Sequence, residues 1–70
     1  MAQGKVKWFD SGKGYGYIIL ENSGEDVFFH FSAVTDGGEG TLSPDTPVEF
    51  DVTKSPKGLQ AMNVKALRSS

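Results

Sequence analysis

Seventy residues make one small domain and leave no room for a second. Such a chain buries only about 60% of its unfolded surface, and without cysteine it has neither disulfides nor thiolate metal sites to add stability. A formal net charge of −2 argues mildly against a polyanionic partner when the chain is taken whole.

The distribution of charge says something else. All seven Lys and Arg residues fall in two blocks, Lys5, Lys7, Lys13 and then Lys54, Lys57, Lys65, Arg68. Every acidic residue except Asp10 lies between those blocks, where no cation occurs. A fold that joins the chain ends would gather the cations on one side, giving a local patch for a few phosphates. No apolar run approaches the roughly 18 residues of a membrane helix, and the N-terminus has no signal-peptide pattern, so a soluble cytoplasmic protein is expected. Glycines, prolines and β-branched and aromatic residues favour an all-β fold of short strands.

In chain order, Gly4 to Asp10 reads as a first strand, with Lys5 and Lys7 on one face and Val6 on the other. Strict alternation sends Trp8 inward with Val6 and Phe9 outward, but a bulge would reverse this, and the residues alone leave both assignments open. Asp10-Ser11-Gly12 is turn chemistry. Tyr15 to Glu21 reads as a second strand. Ile18 and Leu20 claim the core, which leaves Tyr15, Tyr17 and the awkwardly apolar Ile19 outside. Lys13-Gly14-Tyr15-Gly16-Tyr17-Ile18 then sets two rings side by side at i, i+2, next to a cation. That is the layout of a platform on which unpaired bases stack beside a phosphate track. The competing reading, rings at i, i+2 as one core face, is met by the next strand.

Asn22-Ser23-Gly24 turns the chain into a third strand, Asp26 to Phe31. Alternation there places Val27, Phe29 and Phe31 inward and Phe28 and His30 outward. In a hairpin with the second strand, Phe28 and His30 lie across from Tyr15 and Tyr17 and extend one aromatic patch. Ser32-Ala33-Val34 turns the chain, with room for one helical turn. Thr35 to Pro47 is a long loop interrupted by glycines and prolines. Val48 to Thr53 alternates Val48, Phe50 and Val52 inward, and Ser55 to Gly58 is a hairpin loop. Leu59 to Leu67 is ambiguous, rich in helix-favouring residues but too short for a helix without a docking face, and a fifth strand is the more economical reading. Arg68-Ser69-Ser70 is expected to fray. His30 is the lone histidine, and with no cysteine neither a catalytic triad nor a metal shell assembles around it. No enzyme, cofactor, metal or small-molecule substrate is expected.

The motif at 13–18 is similar to the basic-Gly-aromatic-Gly-aromatic ribonucleoprotein signature, but the companion run follows it here and no helices are available to pack behind a sheet. The order Gly4-Lys5-Val6-Lys7-Trp8-Phe9-Asp10, then residues 13–18, then Asp26-Val27-Phe28-Phe29-His30-Phe31-Ser32 resembles the bacterial cold-shock proteins, stand-alone cold-shock domains. Gln60-Ala61 and Asn63-Val64 match that family's last strand. The resemblance implies a five-stranded antiparallel OB-fold barrel whose exposed rings stack bases of single-stranded RNA or DNA. It implies stacking by Trp8, Tyr15, Tyr17, Phe28, His30 and Phe31, and contacts from Lys7, Lys13 and Lys57 to phosphates or base edges. It places Trp8 and Phe31 outside, where alternation had them inside. It also implies a monomeric RNA chaperone acting in antitermination and translation, often under cold stress.

The departures are specific. Asp10 replaces the usual Asn, Tyr15 and Tyr17 replace Phe, Phe29 replaces a small aliphatic, and Leu59 replaces Pro. Gly37-Gly38-Glu39-Gly40-Thr41 lacks the loop aromatic. The alternative weighed from the residues alone is an SH3-like barrel binding proline-rich peptides, disfavoured by Lys13 and the basic block beside the rings.

Overall fold

Three strands joined by short turns form a meander, and two further strands close it into a barrel. The computed structural model describes residues 1–35 and 42–67. Its elements are β1 (Ala2–Asp10), β2 (Tyr15–Leu20), β3 (Asp26–His30), a 3-10 turn (Phe31–Ala33), β4 (Pro47–Ser55) and β5 (Gly58–Ala66). The strand order around the closed barrel is β1-β2-β3-β5-β4. Four of its seams are antiparallel. The last, β3 against β5, is parallel and rests on the pair Phe28–Gln60, with an isolated parallel bridge Val34–Val64 beyond it. The expected all-β, five-stranded barrel is thus present, and the helical turn expected at 32–34 lies one residue earlier.

The core is the inner face of these strands: Val6, Ile18, Val27, Phe29, Val48, Phe50, Ala61 and Val64, with Leu42 from the connection before β4. Leu42 was hidden in the glycine- and proline-rich stretch read as loop. It is 4% exposed because the chain is drawn inward there, with Asp45 N–H bonded to the Val6 carbonyl at 2.7 Å and Val6 N–H to the Thr46 carbonyl at 3.0 Å. Phe29 is fully buried, so the bulky residue at that position fills the barrel centre.

Two irregularities decide which side chains leave the core. On β1, Val6 pairs with Ile18 but Trp8 pairs with Tyr17, so Lys7 is an extra residue in the ladder. This bulge turns Trp8 outward and lays Phe9 over Phe29, ring centroids 5.9 Å apart. The second irregularity lies where Glu49 pairs with Lys65 and Asp51 with Met62. Asn63 takes a left-handed backbone there (φ 53°), and its side-chain amide donates to Asp51 Oδ2 at 2.9 Å.

Val52 corrects the alternation. It was expected inward and is 37% exposed. β1 accompanies β4 only from Pro47 to Phe50, so beyond Phe50 that edge of β4 has no strand beside it and Val52 is left uncovered, although Ala61 opposite it is buried. The gathering of cations is also incomplete. Lys5 lies in a different cleft, with Ile19, Glu21 and Asp45. The calls on 36–41, including the absent loop aromatic, and on 68–70, including Arg68, lie outside the described residues.

Candidate nucleic-acid interface

The outer face of the meander carries four rings in mutual contact. The β2–β3 register sets Tyr17 opposite Phe28 and Tyr15 opposite His30, as the hairpin reading required. Trp8 joins from β1 opposite Tyr17. Ring centroids are 5.4 Å apart for Trp8–Tyr17, 5.6 Å for Trp8–Tyr15, 5.5 Å for Tyr15–Phe28 and 5.8 Å for Tyr17–Phe28. Most of these pairs meet edge-on or tilted, while Tyr15 and Phe28 lie nearly parallel at 30°. Edge contacts hold the rings laterally and leave faces available to a flat ligand.

Gly16 makes this face possible. A Cβ at that position would lie 2.3 Å from the Trp8 carbonyl oxygen and 2.9 Å from the Phe9 Cα, so β1 approaches β2 as only glycine allows. The bulge lies opposite Ile18 and Tyr17, and Gly16 follows it in the ladder, opposite Phe9.

A second, smaller aromatic pair flanks the platform. His30 ends β3, and Phe31 opens the 3-10 turn, 55% exposed, with centroids 5.5 Å apart. Phe31 is therefore outside, not inside as alternation had it, because the strand stops at His30 and the chain leaves the pleat. Phe31 N–H donates to the Gly14 carbonyl at 2.9 Å, which holds the 11–14 turn against this pair. That turn is built by Asp10. Its Oδ1 accepts from Gly12 N–H at 2.9 Å and Lys13 N–H at 3.1 Å, and its carbonyl accepts from Gly14 N–H at 2.7 Å. The carboxylate that replaces the family's usual Asn is thus bound into the turn that presents Lys13, in keeping with the turn chemistry of Asp10-Ser11-Gly12.

The cations occupy different places around the rings. Lys13, beside His30 and Phe31, lines a shallow cleft of about 380 Å³. Lys57, at the tip of the β4–β5 hairpin, lines a larger cleft of about 720 Å³ with Tyr17, Asp26, Phe28 and Gln60. The hairpin tip is fixed by Ser55, whose Oγ accepts from Lys57 N–H at 3.2 Å and donates to the Gly58 carbonyl at 2.9 Å. Lys7 is paired with Asp26 at 3.1 Å, both side chains about half exposed.

All nine sequence-predicted site residues therefore lie on or beside one side of the barrel in three groups: the four-ring platform with Lys7, the His30–Phe31 pair with Lys13, and the hairpin cleft with Lys57. Asp26 was missed, although a signal was present. Asp26, Phe28 and His30 alternate along β3 and share the outer face. Ser32, which bonds the His30 ring, and Gln60, which lines the hairpin cleft, lie in the family-like stretches quoted above but were not among the predicted site residues.

The barrel order and its ringed outer face define a small OB-fold of the oligonucleotide-binding type. Residues 2–67 match the "'Cold-shock' DNA-binding domain", and the chain belongs to that family. It is 52% identical over 67 residues to Cold shock-like protein CspA of Stigmatella aurantiaca, covering 96% of this chain and 98% of that protein. It is 51% identical over 67 residues to the Major cold shock protein of Micrococcus luteus, covering 96% of this chain and 100% of that one. Among solved structures it is similar to drosophila Unr CSD456, with a TM-score of 0.77 and 28% identity over 96% of this chain and 26% of that one. Family membership sets the SH3-like alternative aside. Among the described residues no helix is long and apolar enough to cross a membrane.

Proposed function

We propose that this protein binds single-stranded RNA and DNA by laying successive bases on Trp8, Tyr15, Tyr17 and Phe28 and continuing onto His30 and Phe31. Lys7, Lys13 and Lys57 meet phosphates or base edges beside the rings. The observation that carries this reading is the four-ring cluster on the outside of a barrel whose core is complete without it. Exposed aromatic area of this kind is costly to maintain for stability alone, whereas stacking contributes about 1–3 kcal/mol per base. The cations supply a salt-dependent part that is small for so few phosphates.

Binding of this kind holds a transcript unpaired by capturing open states, with no nucleotide hydrolysis. The corresponding role is that of a monomeric, cytoplasmic RNA chaperone acting on antitermination and translation, and similarity to proteins named for cold shock supports it. Trp8 is the only tryptophan, so its fluorescence reports on the platform directly. Titration with oligothymidine and oligouridine should quench it, with affinity falling as salt rises. Quenching by a proline-rich peptide and by neither oligonucleotide would overturn the proposal.

A further inference from the structure

His30 enters the reading above as a stacking ring, but its hydrogen bonds give it a second property. Ser32 N–H donates to His30 Nδ1 at 3.2 Å, and Ser32 Oγ lies 2.9 Å from the same nitrogen. A backbone N–H can only donate, so Nδ1 presents its lone pair and the hydrogen of the neutral ring is on Nε2. The contact is built into the fold. His30 caps the 3-10 turn in extended conformation (φ −105°, ψ 150°), and Val34 N–H closes the turn onto the Phe31 carbonyl at 3.0 Å.

The opposite edge of the ring is turned toward Gly14. A Cβ at Gly14 would lie 3.3 Å from Nε2 and 3.9 Å from Cε1, tight enough to crowd the donor, and the glycine holds φ 78°. Glycine therefore leaves that edge clear where the chain passes it. His30 and Lys13 line the same cleft, so a directed ring donor and a lysine share it.

We propose that Ser32 is a positioning residue. It fixes His30 in the Nε2–H form, so that His30 meets a bound strand as a directed hydrogen-bond donor to an oxygen acceptor as well as a stacking surface. The acceptor is a phosphate oxygen or a base carbonyl, which share the chemistry the donor reads. The inference rests on the single-strand binding reading for its ligand, but its geometric half stands independently of any ligand.

The test has two parts. Imidazole nitrogen shifts of the free protein, measured by NMR above the titration of the ring, should show an Nε2–H ring in the wild type. In Ser32→Ala, which keeps the 3.2 Å main-chain N–H contact and loses the closer 2.9 Å hydroxyl, they should move part of the way toward the tautomer mixture of free histidine, and Ser32→Thr, which keeps a hydroxyl, should restore the wild-type shifts. An Nδ1–H ring, or shifts that ignore the loss of the hydroxyl, would overturn the positioning role. In the second part, oligothymidine affinity should fall about threefold to tenfold in His30→Phe, which keeps a stacking ring and loses the donor, and less in Ser32→Ala, both measured below the melting transition of each variant. His30→Phe binding as tightly as wild type would overturn the donor role. An oligomer of difluorotoluene nucleosides, which stack without base carbonyls, separates the two acceptors. A His30→Phe loss that persists on it assigns the phosphate, and one that vanishes assigns the carbonyl. Failure of the wild type to bind any strand would overturn the binding reading and the donor role together, while the nitrogen shifts would still decide what Ser32 does.

Discussion

Phe28 and Phe29 are neighbours of the same type on the same strand, and they belong to different parts of the molecule. Phe29 is completely buried inside the barrel, against Phe9. Phe28 is half-buried on the outer face, in contact with Tyr15 and Tyr17. A period of two is all that separates them. The inner ring lowers the free energy of the fold by leaving water. The outer ring is held in place by its neighbours and keeps a face available. A hydrophobic residue in a barrel this small is thus defined by its side of the strand more than by its type.

Substitutions should split along that division. The largest effect is expected for Phe29→Ala, which empties the barrel centre and costs about 3–5 kcal/mol, enough to unfold most of the population of so small a domain. Circular dichroism and a denaturant titration would show this, and a normal midpoint with lost binding would reverse the two faces. Next is Gly16→Ala. Its Cβ meets backbone rather than a movable side chain, so β1 must part from β2, and both melting temperature and Trp8 emission should change together. Tyr17→Ala and Phe28→Ala should weaken oligothymidine binding by about 1–3 kcal/mol each with the melting temperature nearly spared. A large loss of stability there would mean that the platform is part of the core. The smallest effect is expected for Asp26→Asn. It releases Lys7 from an exposed ion pair worth about 0–1 kcal/mol, so affinity should rise a few-fold at low salt and the gain should shrink as salt is added. Weaker binding instead would give the Asp26 carboxylate a direct role with the strand.

Much of this division is legible in the residues. The alternation of Ile18, Val27 and Phe29 against Tyr15, Tyr17 and Phe28 gives the inner and outer faces, and the hairpin register follows from it. What alternation could not give are the places where the pleat is broken. Trp8 and Phe9 exchange sides because Lys7 is an extra residue, and nothing in Lys7 itself announces a bulge. Phe31 leaves the core because the strand ends one residue before it. Val52 leaves because β1 stops accompanying β4, which depends on strand lengths across the barrel rather than on local sequence. Leu42 enters the core from a stretch whose composition reads as loop, drawn in by main-chain bonds to Val6. The position of Lys7 is a further case, since its partner Asp26 is nineteen residues away in the chain and two strands away in space.

The closure of the barrel has a consequence for its motions. The β3–β5 seam rests on the pair Phe28–Gln60 and a bridge at Val34–Val64, while the other seams are extended antiparallel ladders. A curled sheet fastened so sparingly at one margin has its lowest-energy opening there, as a sub-global unrolling that leaves the meander intact. Amide exchange along this margin, at Thr35 N–H on the Val64 carbonyl for example, should be faster than in the β1–β2 ladder. Because Phe28 belongs to both the seam and the platform, an oligonucleotide stacked on it should slow that exchange, acting as a clasp on the joint that the main chain leaves loosest.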